Sequence, residues 1–213
     1  MATILRQFKQ IILTAICLLA IAPAVAQLRH NPAMMLKKPV ASEQRTNFYH
    51  LVAQAGATFL WPKGFRNVPA PDNEDFSFDF ALELPGNDFE VWYQLKSEKQ
   101  DWASFSNNPQ LSNPDSVYKA LGKATAASFS GERKYFEKNI PPDILARYNA
   151  DAGKSYLLTL PELPETKHYK YALVLTLQKN HTGTILLVCF TNVKGPEFFK
   201  NVNRASNCLR FKS

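Results

Sequence analysis

The sequence predicts an α+β layered fold in which an antiparallel sheet is covered by helices. Three observations support this prediction. Residues 76–84 and 89–96 alternate apolar and polar side chains on either side of a turn at 85–88, as in a β-hairpin. A second alternating segment, 169–177, is followed by an apolar run at 184–190. Segments with helical periodicity lie between these strands, so the helices have a sheet to cover.

The first 26 residues have the layout of a secretory signal peptide. Arg6 and Lys9 form a basic region, an apolar run extends over 11–22, and Ala24-Val25-Ala26 is a small-x-small cleavage site. The run is too short for a spanning helix, which needs roughly 20 residues. Uncleaved anchoring and lipidation at Cys17 are the alternatives. We therefore expect an exported protein, periplasmic or extracellular, with a signal peptide at 1–26, a flexible tail at 27–41 and a single α+β domain at 42–213.

The composition is that of an ordinary globular protein with a moderate positive charge. Removal of Arg6 and Lys9 with the signal peptide lowers the net charge from +7 to +5. Adjacent basic residues occur only at Lys37-Lys38 and Arg133-Lys134, so the sequence lacks the basic clusters of a nucleic-acid-binding protein. Attraction to anionic glycans or lipid headgroups stays open. We expect no integral membrane span after processing.

Cys189 and Cys208 are the two cysteines of the processed chain. Export permits a disulfide, whereas their strongly apolar surroundings favour two packed thiols. Both alternatives remain open at this stage.

The helices are predicted from apolar spacing and from their terminal residues. The first follows Ser42, ends at Gly56, and presents Phe48, Leu51, Val52 and Ala55. The others are listed here with their apolar faces: a helix capped by Asn113-Pro114 with Val117, Leu121, Ala124 and Ser128; a short helix after Pro141-Pro142 with Ile144, Leu145 and Tyr148; and a last helix after Gly195-Pro196 with Phe198, Val202, Ala205 and Leu209. We expect the last stripe to pack on a strand containing Leu187 and Cys189.

The strands are predicted from alternation, and each has an expected environment. In the hairpin, Phe76, Phe78, Phe80, Leu82 and Leu84 share one buried side, and the other side is solvated. Thr184 to Phe190 is apolar on both faces, which predicts a central strand. Further strands are expected at 57–61, 156–160 and 210–212, whereas the Asn- and Ser-rich segment 102–112 is expected to be irregular.

One family resemblance rests on two short motifs. Trp61-Pro62-Lys63-Gly64-Phe65 resembles the aromatic-Pro-x-Gly-aromatic entry of the PsbP-like proteins. The chain also ends, like theirs, with a long strand, a turn, an apolar strand, a helix and the finish Leu209-Arg210-Phe211. The resemblance covers about residues 55 to 213. It implies an α-β-α sandwich that serves as an accessory or docking module without catalysis.

The sequence contains no catalytic or metal-binding motif. No two of the four histidines have the spacing of a metal pair, and no G-x-S-x-G elbow is present. The acids at 72–79 lack the glycine and terminal glutamate of a calcium loop. We accordingly predict no cofactor and no metal.

Exposed aromatic residues are the remaining indication of function. Trp92 lies among Glu90, Gln94 and Lys96 on the polar side of its strand, where it serves as a binding platform unless a helix covers it. Trp61 and Phe199 are the other candidates. The sequence therefore predicts an exported non-enzymatic accessory protein of the cell envelope that binds a protein or glycan partner. The alternative is an exported hydrolase whose site is assembled from Asp79, Glu90, His168 and His181.

Overall fold

A computed structural model describes residues 40–74, 76–131 and 134–213. The predicted signal peptide, and the predicted tail up to residue 39, lie outside the described residues. Residues 40 and 41 were predicted to belong to the tail, but they open the first helix.

The helices are α1 (Val40–Gln54), α2 (Lys99–Asn107), α3 (Val117–Ser130), α4 (Pro142–Tyr148) and α5 (Pro196–Ser206), with short 3-10 turns at Pro114–Ser116 and Pro164–Thr166. The strands are β1 (Ala57–Phe59), β2 (Arg66–Val68), β3 (Phe80–Glu83), β4 (Phe89–Ser97), β5 (Phe136–Asn139), β6 (Ala152–Thr159), β7 (Tyr171–Lys179), β8 (Gly183–Thr191) and β9 (Leu209–Phe211). Seven strands form an antiparallel sheet in the order β2-β3-β4-β8-β7-β6-β5, and β1 pairs with β9 in a separate ribbon.

Helices cover both faces of the sheet, so the predicted α-β-α sandwich is confirmed. On one face, α1, α5 and the β1–β9 ribbon bury a core that includes Leu187 and Cys189 of β8. On the other face, α3 packs on β6, β7 and β8, and Leu186 and Val188 belong to that second core. Every residue of β8 is buried, which confirms the prediction of a central strand.

The last helix packs as predicted. Phe198, Val202 and Ala205 of α5 are buried in the same core as Leu187 and Cys189. Leu209 joins them from β9, which pairs antiparallel with β1, so the predicted terminal strand is also present.

The predicted phase of α3 is wrong. Val117, Leu121, Ala124 and Ser128 were expected to face the core, but the buried residues are Tyr118, Gly122, Ala126, Phe129 and Ser130. The reason is close approach: a Cβ at Gly122 would lie 2.6 Å from Cε2 of Tyr156 on β6. The helix therefore places Gly122 at its point of closest contact with the sheet, a requirement that apolar spacing does not reveal.

The predicted solvated face of the hairpin is also wrong. Phe76 and Phe78 belong to the α3-side core, whereas Phe80, Leu82 and Leu84 belong to the opposite core. The chain bends at Asp79, whose backbone N–H donates to the Tyr93 carbonyl at 2.9 Å although Phe80 is paired with the same Tyr93. Asp79 and Phe80 therefore both lie opposite Tyr93, as in a β-bulge. The extra residue moves the side chains that follow to the other face of the sheet, so both faces of the hairpin are buried.

Part of the segment 102–112, predicted to be irregular, is helical, because α2 extends from Lys99 to Asn107. Trp102 anchors this helix, because its indole N–H donates to Asp115 Oδ1 at 2.9 Å. None of the residues of α2 is buried, so the helix carried no apolar signal in the sequence.

Cys189 and Cys208 are free, buried thiols. Of the two alternatives, the structure has the two packed thiols and not the disulfide. Burial raises the pKa of both thiols, that of Cys208 to about 12. The thiolate form that metal binding and disulfide exchange require is therefore disfavoured at both positions.

Candidate partner-binding surface

An apolar groove lies between α4 and α5 on the outer half of the sheet. Leu173 and Leu175 of β7 line the groove on the side of the sheet, and the exposed ring of Phe199 lines it on the side of α5. Its volume is about 310 Å3, and its remaining lining residues are Ile140, Pro141, Ile144, Tyr148, Ser155, Val202 and Asn203. The groove contains no charged side chain, so it is suited to an apolar group.

Two hydrogen bonds fix the spacing of the groove walls. The Tyr148 hydroxyl at the end of α4 donates to Ser206 Oγ at the end of α5, at 2.8 Å and buried. Asn149, in the left-handed conformation that ends α4, donates from Nδ2 to the Lys212 carbonyl at 2.6 Å. These bonds tie α4 to the C-terminal segment, so the groove is preformed rather than a gap between mobile helices.

Phe199 is exposed because of its position on α5. Phe198 is buried against Phe89, with ring centroids 6.0 Å apart. The next residue lies about 100° further round the helix, and Phe199 keeps 44% of its surface exposed. The prediction that Phe199 is available to a partner is compatible with this position.

Trp61 lies in an aromatic patch on the protein surface, formed by Tyr49, Phe59, Leu60 and Trp61. The Phe59 ring is 5.9 Å from that of Tyr49 and 6.3 Å from that of Trp61. Trp61 donates from Nε1 to the Phe65 carbonyl at 3.1 Å, which orients its indole, and it remains 40% exposed. Of the three binding residues predicted from the sequence, Trp61 and Phe199 thus reach the surface.

Trp92 is not on a solvated face. It is completely buried beneath α3, with its ring 5.9 Å from Phe129 and 4.4 Å from Phe190. Its indole N–H donates to Glu90 Oε1 at 2.6 Å. The helix-covered alternative is the one that the structure bears out, because α3 occupies the face that the hairpin was expected to leave open.

The buried Glu90 forms an ion pair with the half-exposed Lys167, and this pair attaches a loop to the sheet. Its two carboxylate oxygens accept hydrogen bonds from Lys167 Nζ at 2.6 and 2.7 Å. Lys167 and His168 both have a positive φ, 52° and 58°, a conformation that side chains other than glycine rarely adopt. The pair holds this strained turn in place, so Glu90 has a structural contact that explains its burial.

The four residues of the predicted hydrolase site are not brought together. Asp79 accepts the backbone N–H of Leu95 at 2.7 Å, and burial raises its pKa. His168 lies next to the turn that binds Glu90, with Nδ1 3.8 Å from Glu162. His181 occupies the opposite end of β7, beside Asp115. Each of the four has its own local partner, and no contact joins two of them in the described part of the chain.

Sequence reasoning missed a polar cluster at the β7–β8 turn. Asp115 Oδ1 accepts hydrogen bonds from the indole of Trp102, from the amide of Gln178 and from the backbone of His181. The His181 ring lies 3.9 Å from that of Trp102, and its Nε2 is 3.6 Å from Asp115 Oδ2. These residues come from three separate segments, so no local motif identifies them.

The buried centre of the polar cluster is Glu98. Thr184 Oγ1 is 2.5 Å from Glu98 Oε1 and 2.6 Å from Gln178 Oε1, while Gln178 Nε2 donates to Glu98 Oε2 at 2.7 Å. A hydroxyl has one hydrogen and cannot donate to both oxygens. A proton on Glu98 resolves this: Glu98 donates to Thr184, Thr184 to Gln178, and Gln178 back to Glu98.

The opposite orientation of the Gln178 amide does not remove the conflict. It would place an oxygen against the carboxylates of Glu98 and Asp115. The pKa of Glu98 is raised, which is consistent with a proton on its carboxyl group. Burial raises this pKa by more than the hydrogen bonds with Thr184 and Gln178 lower it. Asp115 raises it further, and the positive charge of Lys96 lowers it. A proton on Glu98 therefore accounts both for its hydrogen bonds and for the raised pKa.

The described residues contain neither a metal-binding cluster nor a membrane-spanning helix. No group of three or more His, Cys, Asp or Glu side chains is arranged to hold a metal ion in the described ranges. Within the same ranges, none of the helices has the length and apolar character needed to cross a bilayer.

Comparison with known proteins gives a weak structural likeness. No family model matches the chain, and no curated protein matches it. Among solved structures, the chain is similar to cyanobacterial PsbP (CyanoP) from Synechocystis sp. PCC 6803, whose solution structure is known. The identity is 15% and the TM-score 0.41, over 74% of this chain and 88% of that one.

Proposed function

We propose that this chain is an exported accessory protein of the cell envelope that docks a protein partner through the groove between α4 and α5. The observation that carries the proposal is the groove itself. It is concave and uncharged, and the exposed ring of Phe199 lies beside Leu173 and Leu175, so an apolar side chain of a partner has several apolar groups to contact. Export is supported by the signal-peptide layout of residues 1–26.

The lining favours a polypeptide over a glycan. Sugar rings present hydroxyl groups that need hydrogen-bonding partners, and the polar side chains of the groove are limited to Tyr148, Ser155 and Asn203. The Tyr148 hydroxyl is already engaged with Ser206. A volume of about 310 Å3 suits one or two apolar side chains of a partner.

The hydrolase alternative has no comparable support. Its residues Asp79, Glu90, His168 and His181 are each engaged with a different local partner. General acid–base chemistry needs such groups within hydrogen-bonding reach of one substrate.

A photo-reactive phenylalanine analogue at position 199 tests the proposal in cells of the native host. We expect irradiation to give one discrete cross-linked species that protease removes. The matched control carries the same analogue at Phe136, which is 74% exposed on β5 and does not line the groove. The control should give no such species.

Three outcomes would count against the proposal. Equal cross-linking from both positions would mean that contact with position 199 is unspecific, and no cross-linking from position 199 would mean that the groove is unoccupied. A cross-linked species that resists protease would replace the protein partner with a glycan.

A further inference from the structure

The face of β7 that lines the apolar groove continues beyond the groove to Tyr171. Leu175, Leu173 and Tyr171 are alternate residues of β7, so their side chains leave the sheet on the same side. The residues between them, Ala172 and Val174, belong to the core on the opposite side. Tyr171 is only partly buried, and it follows Leu173 at about 7 Å along the strand. It therefore marks one end of the groove.

Lys194, in the loop between β8 and α5, places a positive charge at this end of the groove. Its Nζ lies over the Tyr171 ring, 4.5 Å from the ring centroid. The loop begins at a fixed point, because Thr191 pairs with Tyr171 in the sheet. The Thr191 hydroxyl also contacts both the backbone nitrogen and the carbonyl oxygen of Val193, each at 3.2 Å. Local contacts thus hold the residue that precedes Lys194 beside the end of β7.

The ammonium group of Lys194 can accept an anion from outside the chain. Lys194 is exposed, and none of the ion pairs in the described part of the chain involves it. Lys200, which follows Phe199 on α5, differs in this respect, because its Nζ is 3.5 Å from Glu197 Oε2. An ammonium group has three N–H donors, and contact with one ring face leaves donors for a carboxylate.

We propose that the groove recognises a partner segment that carries an acidic side chain close to its apolar one. The inference rests on the proposed docking function and adds the chemistry of the partner. The apolar side chain occupies the uncharged volume beside Phe199 and Leu173, and the carboxylate binds Lys194 at the Tyr171 end. Complementary charge at one end also fixes the direction in which the segment lies, which an apolar groove alone does not.

The length of the strip sets the spacing of the two side chains in the partner. Leu173 and Tyr171 are about 7 Å apart along β7, which an extended segment spans in about two residues. In a helical segment, residues three or four apart lie on the same face. The acidic residue of the partner is therefore expected two to four residues from its apolar residue.

Cross-linking from position 199 in cells of the native host tests the inference. The full chain carries the photo-reactive analogue at position 199 together with Lys194→Glu, Lys194→Arg or Lys123→Glu. Lys123 is an exposed residue of α3 on the opposite side of the sheet, so its replacement changes the net charge equally. We expect Lys194→Glu to lower the yield of the cross-linked species on the order of tenfold, because like charges repel. Lys194→Arg and Lys123→Glu should leave the yield within about twofold of that with Lys194.

Mass spectrometry of the cross-linked species gives a second readout that does not depend on the Lys194 variants. The partner segment should contain Asp or Glu two to four residues from the cross-linked residue, and replacing that acid by lysine should restore the yield with Lys194→Glu. Equal yields with Lys194→Glu and Lys194, or a segment without such an acid, would overturn the inference and leave the docking function in place. Absence of the cross-linked species when Lys194 is present would contradict the docking function itself.

Discussion

Glu98 shows how one proton completes a buried hydrogen-bonded ring. The side chain is fully buried, and its three contacts with Thr184 and Gln178 can all be satisfied only when the carboxyl group keeps its proton. An unprotonated carboxylate would leave two oxygens 2.5 or 2.6 Å apart without a hydrogen between them. Such a group links stability to pH, because the unfolded chain releases the proton near pH 4.3 or so.

The sign of this linkage follows from the raised pKa. Above the unfolded pKa, the folded state binds more protons than the unfolded state, so stability falls as the pH rises toward the folded pKa. Glu98→Gln keeps a neutral group that donates to Thr184 and accepts from Gln178. We expect it to match the wild type within about 1 kcal/mol at pH 4 and to become progressively more stable than the wild type at higher pH.

Urea unfolding of both proteins across the pH range measures the difference. Glu98→Ala is the control, because it removes the ring and should be destabilised at every pH. If the difference between wild type and Glu98→Gln stayed constant with pH, Glu98 would not be protonated in the folded state.

At the scale of an element, α5 divides its two phenylalanines between the core and the groove. Phe198→Ala should lower the free energy of unfolding by about 3–5 kcal/mol, because the lost ring leaves a cavity beside Phe89. Phe199→Ala should change it by about 0.5 kcal/mol or less, as is usual for a surface substitution. Denaturant unfolding of the two variants measures this, and a larger loss for Phe199→Ala than for Phe198→Ala would show that the helix phase is reversed.

At the scale of the whole molecule, the chain has an uneven distribution of charge and one predicted processing event. Residues 44–71 and 198–213 contain seven basic and no acidic residues, and the other 18 basic residues of the chain equal its 18 acidic residues in number.

Processing is tested by the N-terminus of the protein recovered from its host. The small-x-small site at Ala24-Val25-Ala26 predicts that the mature chain begins at Gln27. Intact mass spectrometry measures this directly. A mass that includes residues 1–26 would remove the support for export.

The sequence by itself determined the features that depend on periodicity and on short turns. The hairpin turn at 85–88, the central strand β8, the apolar stripe of α5 and the pairing strand at the C-terminus were all predictable, because alternation and helical spacing are local signals. The exposure of Phe199 followed from the same spacing. The α-β-α sandwich followed from a strand that is apolar on both faces and needs two covers.

Only the tertiary structure decided which faces those elements present and which residues meet. The bend at Asp79 reversed the alternation of the hairpin, and close packing at Gly122 set the phase of α3, so Trp92 became buried. The cluster of Glu98, Asp115 and His181 joins segments that are distant in sequence. The groove, likewise, exists because α4 and α5 lie on either side of Leu173 and Leu175 of β7. These features depend on contacts between distant residues, and a local pattern contains no information about the partner that a side chain will meet.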